Sequence, residues 1–282
     1  MALCAHATVI MLLIAGPVAA AELVRFPSAP LLPSPFKIRL AEQRGEPPPA
    51  PEPGIEIAGW LDKPEGDGPF PAIVWLHGCG TSTDEIWRAT GTRTAAWGYV
   101  YLGVDSIGPR GLKDACEGGA QLPADRVRDA YGALDYLAHL PFVDSGRIAV
   151  MGASQGGFVA LLAAERESGN HAGPQFKAAV AEYPFCLLGQ GAVSLMVPTL
   201  VVVGELDDWT PASRCREMVN RLAPDSAPLK LVSYPGVYHA FNSVRLRDNP
   251  ITVWGHRLEY NEPAARAADA EMKQFLDANL KK

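Results

Sequence analysis

The sequence carries little charge of either sign. Charged residues make up 20% of the 282 residues, and 25 Lys and Arg against 31 Asp and Glu give a net charge of −6. The basic residues form no cluster, so the chain lacks the positive surface that binding to a nucleic-acid backbone requires. A hydrophobic fraction of 48% is that of a globular protein, which excludes a disordered chain, a collagen and a coiled coil. We expect no nucleic acid as a partner.

Long apolar runs are absent as well. No segment after the N-terminus reaches the roughly 20 apolar residues of a transmembrane helix, so we expect no membrane span. The first 21 residues hold a short apolar core from Val9 to Ala15, then Pro17 and alanines at 19–21. We predict residues 1–21 to be a signal peptide and the mature protein to be periplasmic or secreted. Because this segment has no Lys or Arg, a cytosolic protein with an apolar N-terminus is the alternative.

Cysteine is scarce. The chain has 5, of which Cys4 leaves with the predicted signal peptide. The others, Cys79, Cys116, Cys186 and Cys215, contain no CxxC pair and fit no compact zinc signature, so we expect no structural metal. An even number of cysteines in an oxidising compartment allows two disulfides, and the sequence alone leaves three pairings open.

Residues 22–54 are rich in proline. Nine prolines lie between Phe26 and Gly54. Proline removes a backbone donor and is disfavoured inside helices and central strands. We therefore predict an extended N-terminal arm with neither a helix nor a central strand, which serves as a passive tether for a domain at residues 55–282.

From residue 55 onward, strand and helix patterns alternate. An alternating outer strand at 55–61 precedes five uninterrupted apolar runs, which are typical of parallel strands covered on both faces: 72–76, 99–104, 147–151, 178–181 and 199–203. Amphipathic helices are predicted at 124–140, 158–167, 212–222 and 262–280. The first of these places four charged residues off its apolar stripe: Asp125, Arg126, Arg128 and Asp129. We predict one three-layer α/β domain, with a mostly parallel sheet and helices on both faces.

The sharpest motif is Gly152-Ala153-Ser154-Gln155-Gly156, between a predicted strand and a predicted helix. A serine on such a tight turn adopts a strained backbone, and the small residues around it make room for it. The helix N-terminus that follows offers N–H groups and a positive dipole end to an oxyanion. We predict that Ser154 is a nucleophile.

A serine nucleophile needs a base, and the base needs an acid that orients it. His239 follows a predicted strand at 230–234, and Glu205, Asp207 and Asp208 follow the strand at 199–203. Catalytic residues of open parallel sheets meet at such carboxyl ends. Two adjacent carboxylates cannot both face one imidazole, so we expect the other to cap the helix that begins near residue 211.

Four other histidines compete with His239 as the base: His77, His139, His171 and His256. His139 lies at a predicted helix end and His171 in a polar loop, and surface or capping roles suit such positions better.

A second backbone donor is expected in the loop His77-Gly78-Cys79-Gly80, because it follows the strand at 72–76. We assign the oxyanion hole to the backbone N–H groups of Cys79 and Gln155. A rival interpretation makes Cys79 a thiol nucleophile, but no elbow or base pattern surrounds it.

Together these motifs resemble the dienelactone hydrolase family of the α/β-hydrolase fold. The resemblance extends from residue 55 to the C-terminus and rests on the order nucleophile, acid, histidine, read here as Gly152 to Gly156, Gly204-Glu205-Leu206-Asp207 and Tyr238-His239-Ala240-Phe241. The family's Gly-x-x-Asp spacing selects Asp207 over Asp208. The resemblance implies that Ser154, Asp207 and His239 hydrolyse a carboxylic ester, and no metal or organic cofactor is implied.

The chain also departs from that family. The namesake enzymes carry cysteine at the elbow, so Ser154 implies a serine esterase. They bind a substrate carboxylate with arginines, and only Arg110 lies in a comparable loop, where it either contacts an acidic substrate group or pairs with a surface carboxylate. Trp209 and Tyr238 are expected to line the pocket. Residues 242–260 either cover the pocket as a partial lid or pack on the surface.

The resemblance further implies two disulfides. Cys186–Cys215 would join adjacent elements of this fold, and Cys79–Cys116 is the second candidate pair. The expected function is hydrolysis of a small ester or lactone through an acyl-enzyme intermediate. A peptidase or acyltransferase with the same triad, or a binding protein without turnover, are the alternatives.

Overall fold

The computed structural model describes residues 21–80, 82–116, 122–169, 171 and 173–281. Apart from Ala21, the predicted signal peptide lies outside the described residues.

One eight-stranded sheet organises the chain, in the order β1-β2-β4-β3-β5-β6-β7-β8. The strands are β1 Glu22–Pro27, β2 Glu56–Asp62, β3 Phe70–Leu76, β4 Val100–Asp105, β5 Val143–Ala153, β6 Ala178–Glu182, β7 Thr199–Gly204 and β8 Leu229–Tyr234. Strands β3 to β8 are parallel, whereas β1 and β2 are antiparallel to their neighbours. A separate two-stranded hairpin contains β9 Ile251–Val253 and β10 His256–Leu258.

Helices cover both faces of the sheet. They are α1 Pro35–Arg44, α2 Asp84–Ala96, α3 Leu122–Ala138, α4 Gln155–Ala164, α5 Ala212–Asn220 and α6 Glu262–Leu280. Helices α3 and α4 pack in one apolar cluster, and α2 and α6 pack in the cluster on the opposite face. Successive residues of β3, such as Ile73 and Val74, are therefore fully buried on opposite faces. The predicted three-layer α/β fold is confirmed.

The proline-rich segment differs from the prediction, because it contains a helix. Pro35 lies in the first turn of α1, where a missing N–H leaves no bond unmade. The Ser34 hydroxyl accepts the Lys37 N–H at 3.2 Å, and Gly45 ends the helix with a φ of 68°. The prediction of no helix in residues 22–54 was therefore wrong.

The same segment is not a passive tether. Strand β1 forms the edge of the sheet by pairing with β2, and its Phe26 side chain is buried in the core. Ala29 continues the attachment, since its N–H donates to the Arg128 carbonyl of α3 at 2.9 Å. The prolines are compatible with this arrangement because an edge strand uses only part of its backbone donors.

Within the described ranges, no helix combines the length and the apolar character that crossing a membrane requires.

Candidate active site

The turn between β5 and α4 places Ser154 in a strained backbone, with φ 55° and ψ −118°. The glycines around it are required by close approaches. A Cβ on Gly152 would lie 2.3 Å from the Gly156 carbonyl oxygen, and a Cβ on Gly156 would lie 2.1 Å from that of Leu76. The sharp strand-to-helix turn read from the sequence is therefore present.

Ser154, His239 and Asp207 meet in one line of contacts. The Ser154 Oγ lies 3.0 Å from His239 Nε2, and His239 Nδ1 lies 2.7 Å from Asp207 Oδ2. The histidine and the aspartate are buried, with 2% and 3% of their surface exposed. Three loops at the carboxyl ends of β5, β7 and β8 bring them together, which is the geometry that a nucleophile, base and orienting acid require.

Asp207 is held mainly by its own loop. Its Oδ1 accepts the backbone N–H groups of Trp209 at 3.0 Å and Thr210 at 2.8 Å, and its Oδ2 lies 2.8 Å from the Thr210 hydroxyl. Both carboxylate oxygens therefore have donors in addition to the imidazole of His239.

The competing acids point elsewhere. Asp208 is exposed and lies 3.2 Å from Nδ1 of His256, and Glu205 pairs with Arg216 at 2.9 Å. The expectation that the second acid caps the next helix was wrong, because α5 begins after Pro211 with no side-chain cap.

The competing histidines are also engaged away from Ser154. Nδ1 of His139 lies 2.6 Å from the carbonyl of Asp135 at the end of α3, and His171 contacts the Asp135 carboxylate at 3.2 Å. His77 is fully buried, and its ring Nδ1 lies 2.7 Å from the Gly78 carbonyl. Burial is the main cause that lowers the pKa of His77, to about 3, so its ring is neutral at neutral pH.

The loop of residues 77–80, which carries the predicted oxyanion donor Cys79, packs against the elbow. A Cβ on Gly78 would lie 3.7 Å from both the Ser154 Cβ and the Ala153 carbonyl oxygen. Gln155 is the first residue of α4, where backbone N–H groups have no partner within the helix. Gln155 therefore directly follows Ser154, and Gly78, the neighbour of Cys79, packs against it.

Two disulfides are present, with the pairings that the resemblance implied. Cys79 is bonded to Cys116, and Cys186 is bonded to Cys215. The first pair is half-buried and the second is buried. The bond to Cys116 leaves Cys79 without the free thiol that the rival nucleophile assignment needed.

Arg110 has a structural partner. Its guanidinium makes two contacts with the Asp129 carboxylate, at 2.7 and 3.0 Å, and donates to the Ser106 carbonyl at 2.7 Å. The pairing supports the second of the two predicted roles, although the carboxylate is buried rather than on the surface.

The sequence reasoning missed two charged residues of α3. Arg126 and Asp129 fall off the apolar stripe, yet both have 0% of their surface exposed. Arg126 donates to the carbonyls of His77 and Gly78 and to the side chain of Gln155. Periodicity gives no signal for such burial, because it scores a charged side chain as solvent-facing.

A second missed group lies beneath the histidine. Tyr183 has a φ of 37°, and its ring packs edge-on against His239 with 4.9 Å between centroids. Its hydroxyl donates to Asn242 Oδ1 at 2.8 Å, and the Asn242 amide donates to the buried Glu182 carboxylate. Burial raises the pKa of Glu182, and the nearby Arg93 guanidinium counteracts part of that effect.

Aromatic residues pack beside the His239 ring, and we call this group the aromatic rim. The Trp209 ring lies 5.3 Å from that of His239 and stacks on His256 at 5.3 Å, and the half-exposed Trp254 contacts its edge. Tyr238 is half-buried under the Arg257 guanidinium.

The hairpin β9–β10 carries the stacked His256 and joins this rim. Backbone pairing connects Leu258 to His239, so the hairpin packs beside the loop that follows β8.

The fold and the sequence both have known relatives. Cutinase 2 of Thermobifida cellulosilytica is 31% identical over 190 residues, which are 64% of this chain and 64% of the cutinase. The match thus spans less than two thirds of that cutinase's length.

Solved structures at low identity show the fold. The chain is similar to a dienelactone hydrolase-like promiscuous phosphotriesterase from metagenomic libraries, with a TM-score of 0.65 and 16% identity over 93% of this chain and 99% of that chain. It is also similar to a thermophilic esterase from Thermogutta terrifontis, with a TM-score of 0.59 and 16% identity over 79% of this chain and 88% of that chain. The predicted α/β-hydrolase fold is confirmed.

The family follows from the match along most of the chain. Residues 57–280 match the model of the dienelactone hydrolase family, from the second strand to the end of the last helix. The chain belongs to the dienelactone hydrolase family.

Proposed function

We propose that this protein is a serine carboxylic-ester hydrolase that acts on a small ester or lactone through Ser154, Asp207 and His239. The observation that carries the proposal is the continuous line of contacts from the Ser154 hydroxyl through the His239 ring to the Asp207 carboxylate, at 3.0 and 2.7 Å. The strained backbone of Ser154 adds support, because outliers of this kind cluster at functional sites.

The mechanism is acyl transfer through a covalent intermediate. His239 Nε2 takes the proton of the Ser154 hydroxyl as its oxygen attacks the ester carbonyl carbon, and Asp207 stabilises the imidazolium that forms. The resulting oxyanion accepts hydrogen bonds from the backbone N–H groups of Cys79 and Gln155. Collapse expels the alcohol, which takes the proton from His239, and leaves an acyl-enzyme. Water then gives a proton to the same imidazole as its oxygen attacks the acyl carbon. The bond to the Ser154 oxygen breaks, the acid leaves, and His239 returns the proton to Ser154.

The substrate class rests on the rim and the relatives. Trp209 and Tyr238 offer apolar surface to an acyl or alcohol group, as aromatic rings in pockets do. Arg110 is committed to Asp129, so the proposal assigns it no substrate carboxylate. The family name, dienelactone hydrolase, and the names of two similar proteins, a cutinase and an esterase, support ester or lactone hydrolysis.

Export to an oxidising compartment is part of the proposal. Two disulfides support it, because such bonds persist outside the reducing cytosol. N-terminal sequencing of the mature protein tests it: a chain that begins at Glu22 is expected, and one that retains Met1 contradicts cleavage.

The decisive experiment is labelling with a fluorophosphonate followed by peptide mapping, together with hydrolysis of p-nitrophenyl butyrate. The label is expected on Ser154, and Ser154→Ala is expected to lower kcat by about 10⁶-fold with the fold retained by circular dichroism. Ser168→Ala is the matched control, because this exposed serine lies beyond the opposite end of α4 from the elbow. A Ser154→Ala protein with wild-type kcat, or a folded wild type that takes no label, contradicts the proposal.

A further inference from the structure

We propose that Arg126 is a positioning residue of the oxyanion hole, which aims the backbone N–H groups of Cys79 and Gln155 at the reacting carbonyl. This inference rests on the proposed function, because the oxyanion hole has a role only if Ser154 attacks an ester. Arg126 does not touch the substrate in this scheme; it acts through the two residues that do.

The contacts of Arg126 converge on residues 77–80, the loop after β3, which we call the oxyanion loop. Its Nη2 donates to the His77 carbonyl at 2.5 Å, and its Nη1 donates to the Gly78 carbonyl at 3.3 Å and to Gln155 Oε1 at 2.7 Å. The side chain reaches there from α3, 48 and 49 residues along the chain from the two carbonyls. One guanidinium therefore joins the loop after β3 to the first residue of α4.

The planarity of the peptide group turns these contacts into control of a donor. The Gly78 carbonyl and the Cys79 N–H belong to one trans peptide, so they point in opposite directions. Arg126 and the His77 ring both bond to that carbonyl, at 3.3 and 2.7 Å. Two donors on one carbonyl oxygen fix the plane of the peptide, and with it the direction of the Cys79 N–H.

The second donor residue is fixed by the same network. The Gln155 side chain accepts from Arg126 and donates its Nε2 to the Ala115 carbonyl at 3.1 Å. Ala115 precedes Cys116, which is disulfide-bonded to Cys79. The chain of bonds closes on itself, so that the oxyanion loop, the loop of Cys116 and the start of α4 hold one another.

The burial of the charge argues against a role in packing alone. Arg126 is fully buried, and its Nε has no acceptor among the described residues. Removing a guanidinium from water is costly, and a core of apolar residues is often at least as stable. Burial lowers the pKa of Arg126 to about 10, so the group remains charged at neutral pH. Its donors are thus bound to carbonyls of the site at a cost that apolar packing would not incur.

The test compares Arg126→Met and Arg126→Lys with the wild type. We measure kcat and KM on p-nitrophenyl butyrate, with active sites counted by fluorophosphonate labelling, and the inhibition constant of a trifluoromethyl ketone, which forms an oxyanion on the serine. Loss of one oxyanion donor lowers kcat by about 10² to 10³-fold in a serine protease. We expect Arg126→Met to lower kcat by about 10 to 100-fold and to change KM by less than about threefold. The inhibition constant of the ketone should rise in parallel with the loss of kcat.

Two further variants make the result specific. Gln155→Leu keeps the backbone N–H but loses both side-chain bonds, and a smaller loss of kcat in the same direction is expected. This variant also carries the test if Arg126→Met does not fold. Arg128→Met, on the same helix but bonded to the Ala29 carbonyl, should match the wild type. Arg126→Lys, which keeps the charge but not the planar fork, should retain part of the rate.

The possible outcomes distinguish a failure of the positioning role from a failure of the proposed function. If the wild type turns over but Arg126→Met keeps its kcat per labelled site and its ketone affinity, the positioning role is wrong and the proposed function stands. A loss of labelled sites with unchanged kcat per site shows a purely structural role and also overturns the inference. A wild type that neither labels at Ser154 nor hydrolyses the ester overturns the proposed function, and the inference with it.

Discussion

The two sides of Ser154 are held by different kinds of contact. On the histidine side, Asp207 is held by N–H groups only two and three residues further along the chain, those of Trp209 and Thr210. On the oxyanion side, the loop after β3 is held by Arg126 and by a disulfide to Cys116, 37 residues from Cys79.

The two sides therefore differ in how far along the chain the contacts lie that hold them in place. The backbone N–H groups that hold the Asp207 carboxylate lie in the same turn after β7, residues 205–211, which we call the acid loop, so a distant substitution is expected to affect them little. The oxyanion loop is instead held by contacts from α3 and from the loop of Cys116, which are distant along the chain. The histidine side is therefore expected to tolerate distant changes, and the oxyanion side to be sensitive to them.

Among the tests of this comparison, the largest expected effect concerns the choice of acid on the histidine side. Asp207→Asn should lower kcat by about 10⁴-fold, because an amide at Oδ2 favours the wrong tautomer of His239. Asp208→Asn is the matched control next to it: Asp208 is exposed and contacts His256, so kcat should change by less than about threefold. Steady-state kinetics on p-nitrophenyl butyrate give both values. A larger loss for Asp208→Asn would reassign the acid.

The two disulfides test the comparison itself. Their loops of 37 and 29 residues predict similar stabilisation, about 3 to 4 kcal/mol each in the chain-entropy model. Replacing either pair by alanines should therefore lower the free energy of unfolding by a similar amount. Only the Cys79–Cys116 replacement should also lower kcat per labelled site, because only that bond touches the oxyanion loop.

Urea unfolding and active-site-titrated kinetics on the two double variants measure these quantities. Loss of kcat in the Cys186–Cys215 variant would break the comparison, since Cys215 lies on α5, directly after the acid loop. It would mean that the local bonds of Asp207 do not suffice to hold the acid.

The sequence predicted those parts of the candidate site that have a local pattern or a fixed order of motifs along the chain. Continuous apolar runs indicated the parallel strands, and the glycines around Ser154 indicated the elbow, because only glycine fits the close approach to the Leu76 carbonyl. The place after a strand indicated His239. The same kind of place left Glu205, Asp207 and Asp208 open as the acid, and the spacing of the family it resembles selected Asp207. Each of these signals lies within a few residues of the feature that it predicts.

The missed parts lack such signals. Helix α2 buries Trp87, Thr90, Gly91 and Thr94, which have helical spacing but little apolar character. Arg126 and Asp129 are buried because partners from other segments surround them, and periodicity contains no information on partners. In the proline-rich segment, the many prolines argued against a helix. Pro35, however, lies in the first turn of α1, which is the turn of a helix that accepts proline.

The smallest expected effect is a pH dependence of stability on the oxyanion side. His77 is buried beside Arg126, and burial and this charge lower its pKa to about 3, against about 6.5 for an unfolded histidine. Between these two values the unfolded chain binds a proton that the folded chain does not. The free energy of unfolding should therefore fall as pH drops below 6.5, by up to about 1.4 kcal/mol per pH unit from this group.

The measurement is urea unfolding of the wild type and of His77→Asn at pH 6.5, 5.5 and 4.5. The variant lacks the titrating ring, so its free energy of unfolding should fall less steeply with decreasing pH. The difference in slope should approach that of one bound proton, about 1.4 kcal/mol per pH unit. His139→Asn, which removes an exposed ring at the end of α3, should run parallel to the wild type. If His77→Asn also runs parallel, the folded state accepts a proton on His77, and the ring that bonds to the Gly78 carbonyl tolerates a charge next to Arg126. The oxyanion loop would then be less tightly constrained than its long-range contacts indicate.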